Sequence, residues 1–214
     1  MASVPNQMPA PPRWIEIHPT VVRVTHWLNA LAIVIMVTSG WRIYNGSPFW
    51  PFTIPAQITL GGWLAGALMW HFAAMWLLVI NGVVYLAYNI LSGRLASKFF
   101  PLSPSAVLHD LGSALRGHLA HDDPRRYNAV QKLAYLGVML LIAVLILSGL
   151  AIWKPVQLQE ITALFGDYEI ARRVHFICMA LIVVFFIVHI VMVALVPKTF
   201  IAIITGRASV PSRK

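Results

Sequence analysis

Long apolar runs, separated by short polar segments, form the main hydrophobic pattern of this chain. Four of these runs are long enough to cross about 30 Å of hydrocarbon as helices. They extend approximately over Val24 to Ile43, Gly62 to Leu91, Val130 to Trp153 and Val174 to Val196. The pattern therefore predicts an all-α membrane protein built as a bundle of four transmembrane helices.

The segments that connect these runs differ in length. Two of them, about Tyr44 to Gly61 and Lys154 to Arg173, are short and contain proline and aromatic residues suited to a membrane interface. The segment between the second and third helices, Ser92 to Ala129, is longer. Its apolar residues recur at helical spacing, at Val107, Leu108, Leu111, Leu115 and Leu119. This spacing predicts an amphipathic helix that lies on the cytoplasmic membrane surface.

We expect a single four-helix domain over residues 23–197, with a tail on each side. Residues 1–22 begin with a proline-rich stretch and lack the basic and apolar regions of a cleavable signal peptide. We interpret them as a flexible cytoplasmic tail. Residues 198–214 are interpreted as a second cytoplasmic tail.

Composition and charge agree with a membrane protein, because 59% of the residues are hydrophobic and only 11% are charged. An even number of spans places both termini on one side of the membrane. That side carries twelve of the sixteen Lys and Arg residues, and the other side carries four. By the positive-inside rule both termini are cytoplasmic. The net charge of +9 follows from this topology and does not indicate a nucleic-acid partner.

Several chemistries are excluded by residues that the sequence lacks. Cys178 is the only cysteine, which excludes an internal disulfide, a CxxCH haem attachment and an iron–sulfur cluster with cysteine ligands. The four predicted spans contain no Asp or Glu. This absence argues against a proton pump.

Four histidines lie within the predicted spans. His26 is in the first span, His71 in the second, and His175 and His189 in the fourth. The direction of each helix places His26 and His189 near the cytoplasmic end, and His71 and His175 in the outer half. Because fourteen residues separate His175 from His189, the two share one helix face and lie about 21 Å apart.

Two histidine pairs at two depths predict two b-type haems. Neutral imidazole is the commonest protein ligand of transition metals, and haem iron takes one on each face in electron-transfer cytochromes. His26 and His189 would bind one haem iron, and His71 and His175 the other. Helix-to-helix hydrogen bonds and a non-haem metal pathway stay open as alternatives. His18 and the histidines of the inner loop are interpreted as solvated.

Three further residues fit the haem interpretation. Gly40 and Gly149 lie at the depth of the outer pair, where a residue without Cβ lets a flat macrocycle approach the backbone. Arg23 lies one turn before His26, in position to bind a haem propionate at the cytoplasmic surface. We therefore include all three among the predicted haem-binding residues.

The stretches "RVTHW", "RYNAVQK" and "SGLAIWKP", with the histidine spacing, resemble the di-haem cytochrome b subunits of formate dehydrogenases and nickel–iron hydrogenases. The chain is most similar to the thiosulfate-reductase-type subunits, and the resemblance runs from His18 to Arg207. It implies a multi-pass protein of the bacterial inner membrane. Such subunits transfer electrons between membrane quinone and a periplasmic redox partner, which is often a molybdenum enzyme and can contain an iron–sulfur subunit.

The resemblance also implies a quinone site. In formate dehydrogenase gamma subunits a similar "YNAGQK" stretch helps to form a quinone pocket beside the cytoplasmic-side haem. By this similarity Asn128 and Gln131 are implied quinone contacts near His189, although Val130 stands where the family has Gly.

Two other functions stay open. The chain could be a quinone-linked oxidoreductase by itself, oxidising superoxide at the outer haem. Lys154, Arg172 and Arg173 lie at that end and could steer a small anion. The chain could also transport haem or a metal, in which case it would bind its cargo reversibly.

The distribution of basic residues generates a prediction about orientation. A reporter enzyme fused to the C-terminus should be active in the cytoplasm, because twelve of the sixteen basic residues lie on that side. A tag inserted between Lys154 and Arg173 should be accessible to an impermeant reagent from outside. The reverse labelling pattern would exchange the two surfaces and move the implied quinone site with them.

Overall fold

The computed structural model describes residues 13–116 and 127–210. Within these ranges it contains eight α-helices, one short 3₁₀ helix and two strands. In chain order they are β1 (Arg13–Glu16), α1 (Thr20–Gly46), the 3₁₀ helix (Ala56–Ile58), α2 (Leu64–Leu91), α3 (Arg94–Phe99), α4 (Pro104–Leu115), α5 (Ala129–Trp153), α6 (Gln159–Leu164), α7 (Tyr168–Leu195), α8 (Pro197–Thr205) and β2 (Arg207–Val210).

The four long helices α1, α2, α5 and α7 are each long and apolar enough to cross a membrane. They confirm the four predicted spans. Helix α7 begins six residues before the predicted apolar run, because the side chain of Asp167 accepts a hydrogen bond from the Ile170 N–H at 2.7 Å. This cap satisfies a backbone donor of the first turn and lets the helix start in the polar segment.

The long helices form two hairpins. Helix α1 packs against α2, and α5 packs against α7. The core is built mainly from small side chains, which let helices approach closely in hydrocarbon. The fully buried alanines of the long helices are Ala32, Ala67, Ala151 and Ala171. The amide of buried Asn81 joins α2 to α1 by donating to the Thr25 carbonyl at 2.8 Å and to Asn29 Oδ1 at 2.7 Å.

A helix does occur in the long inner connection, as the hydrophobic spacing predicted. It is α4, in which Leu108 and Leu111 are exposed, while Leu119 lies outside the described residues. Asp110 on α4 accepts a hydrogen bond from the Ala129 N–H at 2.8 Å, which fixes α4 against the first turn of α5. That α4 lies on a membrane surface stays a prediction.

The structure differs from the sequence-based expectation at both tails. Strands β1 and β2 pair antiparallel, with Arg13 opposite Val210 and Glu16 opposite Arg207. The Gly206 carbonyl accepts from the N–H groups of Ile17 and His18, at 2.8 and 3.1 Å. Part of each expected tail therefore has regular structure, because the backbone groups of one tail are satisfied by the other.

Candidate functional site

The outer histidine pair faces across the gap between the two hairpins. His71 on α2 and His175 on α7 have ring centres 6.4 Å apart, with their planes inclined at 60°. Both side chains are half-buried. The sequence placed these two histidines at one depth, and the structure brings their rings together.

Two serine hydroxyls fix the orientation of the outer pair. Ser39 Oγ lies 3.1 Å from His71 Nδ1, and Ser148 Oγ lies 3.0 Å from His175 Nδ1. Each hydroxyl also lies within hydrogen-bond distance of a carbonyl four residues earlier on its own helix, at 2.6 Å for Ser39 and 2.7 Å for Ser148. Because each hydroxyl donates its hydrogen to that carbonyl, its oxygen accepts a hydrogen bond from Nδ1–H of the imidazole. The lone pair of each ring is then on Nε2, the tautomer that can bind a metal.

The inner pair has a similar ring separation, but no hydroxyl of the described residues contacts its nitrogens. The ring centres of His26 on α1 and His189 on α7 are 6.2 Å apart, at an angle of 53°. Phe185 stacks on His189 at 5.8 Å and 16°, and Trp27 meets His26 edge-on at 5.1 Å. Nδ1 of His26 is buried and has no hydrogen-bond partner in the described part of the chain.

Both separations fit one metal ion between two imidazoles. A metal–imidazole bond is about 2 Å long and the ring centre lies about 1.2 Å behind the nitrogen, which sets the ring centres about 6.4 Å apart. Within residues 13–116 and 127–210, no three His, Cys, Asp or Glu side chains cluster as a metal site. Two ligands on opposite sides suit haem iron, whose four other ligands come from the macrocycle. The donor sets therefore fit haem, and the haem ligands stay predictions.

The two predicted glycines lie beside His71 and His175, the predicted ligands of the outer haem. A Cβ on Gly40 would be 3.5 Å from His71 Cε1, and a Cβ on Gly149 would be 3.3 Å from His175 Cε1. Gly149 leaves the less room of the two. The two glycines therefore leave space for the imidazole rings. The prediction that a macrocycle approaches the backbone at these glycines is not tested by these contacts.

Arg23 makes a different contact from the predicted one. Its guanidinium donates to the carbonyls of Ile203 and Ile204 at the end of α8, the first of them at 3.4 Å. Cations are favourable at the C-terminal end of a helix. A cavity of about 420 Å³ lies beside Arg23 and Trp27. The contact of Arg23 with a haem propionate stays a prediction.

Asn128 and Gln131, the implied quinone contacts, form the start of α5. Asn128 Oδ1 accepts from the Gln131 N–H at 2.7 Å, and Gln131 Oε1 accepts from the Asn128 N–H at 3.1 Å. This reciprocal arrangement is a capping box. The "YNAVQK" motif therefore has a local structural role, and its quinone role stays a prediction.

The outer cations have different environments. Arg172 donates to Glu169 at 3.1 Å and to the Ser47 carbonyl at 2.5 Å, and its guanidinium lies 5.0 Å from the centre of the Phe49 ring. Lys154 lies 5.3 Å from the ring centre of Trp153. Arg173, two residues before His175, is exposed. Arg172 thus ties the loop after α1 to α7, whereas Arg173 is exposed.

Ser39 and Ser148 were not among the predicted site residues. Both are completely buried, and each directly precedes one of the predicted glycines in the sequence. The repeated Ser-Gly dipeptide, in "TSGW" and "LSGL", was the available signal. His18, which we expected to be solvated, is half-buried, and its Nδ1 has no partner among the described residues.

Comparisons with known proteins agree with a b-type cytochrome. Residues 17–206 match the family described as prokaryotic cytochrome b561. The chain is 60% identical over 190 residues to a protein of Azospira oryzae named putative protein-methionine-sulfoxide reductase subunit YedZ1, covering 89% of this chain and 96% of that protein. It is 28% identical over 185 residues to a probable Ni/Fe-hydrogenase B-type cytochrome subunit of Cupriavidus necator, covering 79% and 74%.

The serine contacts generate a prediction. Ser39→Ala should weaken haem binding at the outer pair by about 10- to 100-fold, because His71 loses the acceptor that orients it. The measurement is the haem content of the purified variant after dilution, resolved by optical spectroscopy. Thr38→Ala is the matched control, since the Thr38 hydroxyl bonds to the Val34 carbonyl at 2.8 Å on the same helix. Equal haem loss in both variants would show that Ser39 does not act through His71.

Proposed function

Because this chain belongs to the prokaryotic cytochrome b561 family, we propose that it is a di-haem electron-transfer subunit of a bacterial inner membrane. It links the quinone pool to an oxidoreductase on the periplasmic side. The main support is the presence of two imidazole pairs, each with ring centres 6.2 to 6.4 Å apart. Bound between such rings, haem supplies a one-electron iron centre with no open coordination site.

The residues of the chain favour transfer of electrons over chemistry on a substrate. His175 and His189 lie fourteen residues apart on α7, which separates the two pairs by about 21 Å along the helix. Both pairs lie within apolar spans, and Ser39 and Ser148 hold the outer rings in one tautomer. This arrangement supports the proposal of two redox centres at two membrane depths.

We propose a protein-methionine-sulfoxide reductase as the periplasmic partner. The support is the Azospira oryzae relative, which is named as a subunit of such a reductase and is matched over 96% of its length. We expect this partner to be a molybdenum enzyme or to contain an iron–sulfur subunit, and its cofactor stays a prediction. Exposed Arg173, close to His175, is available to an acidic docking surface.

Oxidation of superoxide by the chain alone stays an alternative. The steering role suggested for the outer cations would depend on Lys154 and Arg173, since Arg172 is paired with Glu169. A partner-free assay separates the two functions, because a subunit needs its reductase and a stand-alone enzyme does not.

The assignment of histidines to separate haems is tested by two substitutions. His189→Ala should remove one of two haems per chain and abolish rapid reduction by quinol, because the implied quinone pocket adjoins the inner pair. His71→Ala should remove the other haem and keep reduction by quinol. Haem content by the pyridine haemochrome method, optical spectra and quinol-driven reduction measure these effects.

His109→Ala is the control for these variants, because the His109 side chain is 80% exposed on α4. It should keep both haems and the full rate. If His71→Ala and His189→Ala deplete the same haem, the pairing is wrong. If only His71→Ala loses reaction with quinol, quinone binds at the other side.

Docking of the partner is tested at Arg173. Arg173→Glu should slow quinol-driven reduction of methionine sulfoxide about tenfold at low salt in membranes containing the reductase, because a charge at an interface rim mainly changes the association rate. Lys198→Glu, the same charge change at an exposed residue of α8, should have no effect. The stand-alone enzyme would instead be supported if superoxide reduces the partner-free protein and if Arg173→Glu, but not Lys198→Glu, slows that reduction.

A further inference from the structure

Besides Nδ1 of His26, two buried nitrogen atoms at the inner end of the bundle have no hydrogen-bond partner within the described residues. They are Nδ1 of His18 and Nε of Arg94. The two residues are neighbours in space, because Arg94 Nη2 donates to the carbonyl of Ile17 at 3.4 Å. Buried polar groups in proteins are nearly always paired. With the neutral ring of His18 protonated at Nδ1, both nitrogens are donors, and they indicate an acceptor outside the described residues.

The electrostatics of the site favour an anionic acceptor. Burial and the positive charges of Lys98 and Arg94 lower the pKa of His18 from 6.5 to about 4, with smaller effects from His26 and Arg23. In the described part of the chain, no carboxylate forms an ion pair with Arg94. Arginine binds carboxylates through parallel N–H donors. A carboxylate would satisfy both nitrogens and offset the surrounding positive charge.

The position of the site beside His26 identifies the carboxylate. His18 lies just before α1, and Arg94 lies just after α2, so both are at the inner end of the first hairpin. The rise from Thr20, where α1 begins, to His26 is about 9 Å. A haem bound through His26 carries two propionate carboxylates on one edge of its ring. A free lipid phosphate is the other anion available at this depth.

We propose that Arg94 and His18 bind a propionate of the haem held by His26 and His189. This proposal rests on the proposed function, because it requires a haem at the inner pair. It transfers to Arg94 the role that the sequence suggested for Arg23. The guanidinium of Arg23 is already hydrogen-bonded to the carbonyls at the end of α8.

The test uses the purified haem-loaded protein containing haem with ¹³C-labelled propionate carboxyls. Redox-induced infrared difference spectra record the labelled carboxylate bands directly. Arg94→Gln should shift these bands and lower the midpoint potential of the inner haem, because a positive charge beside the propionate is lost. Arg94→Lys should give a smaller shift in the same direction, and His18→Ala should shift the bands as well.

Lys198→Gln is the control for loss of a positive charge, because Lys198 is an exposed residue of α8. It should leave the labelled bands unchanged, and the spectrum of the outer haem reports in each variant whether the bundle is folded. Unchanged bands in both Arg94 variants and in His18→Ala would overturn the proposal. Bands that shift in Arg23→Gln alone would return the role to Arg23 and also overturn it.

Two further outcomes separate this proposal from the proposed function. If Arg94→Gln leaves the labelled bands unchanged but slows reduction by quinol, the two donors serve quinone and the propionate proposal fails alone. If His26→Ala contains as much haem as the wild-type protein, no haem is bound at the inner pair. The proposed function then fails, and the propionate proposal fails with it. Lipid phosphate as the ligand would be shown by phosphate bands that change in Arg94→Gln while the labelled bands do not.

Discussion

The arrangement of this bundle depends on keeping two helical hairpins apart while imidazole rings reach across the space between them. Within each hairpin the helices touch through small side chains, whereas between the hairpins His26 and His189 meet at 6.2 Å and His71 and His175 at 6.4 Å. These separations agree with the distance expected for two imidazoles bound to one metal ion.

The two hairpins hold their outer histidines in the same way. On α1 and on α5 a Ser-Gly pair faces the histidine of the neighbouring helix, so that the hydroxyl fixes the ring and the glycine leaves space for it. The inner histidines lack this support. His189 is held by stacking on Phe185, and Nδ1 of His26 is buried with no partner among the residues that the structure describes. Contacts within the protein therefore orient the outer pair more firmly than the inner pair.

Most of the fold could be predicted from the sequence, because the length of an apolar run and the position of a histidine within it depend on one helix alone. The role of Ser39 could not, since a serine in a membrane helix commonly bonds only to its own backbone, and the contact with His71 comes from another helix. For Asn128 and Gln131 the resemblance implied only a quinone role, and the capping box that they form was not predicted from the sequence. The pairing of β1 with β2 joins residues at opposite ends of the chain, which no local pattern indicates.

That pairing has a consequence for the order of assembly. Strand β1 is synthesised before any of the membrane helices, but its partner β2 follows all of them, so the ribbon can close only after the last helix has entered the membrane. The Gly206 carbonyl, which accepts from the backbone of Ile17 and His18, also arrives at this late stage. His18 can therefore be held in place only after the chain has been synthesised as far as Gly206.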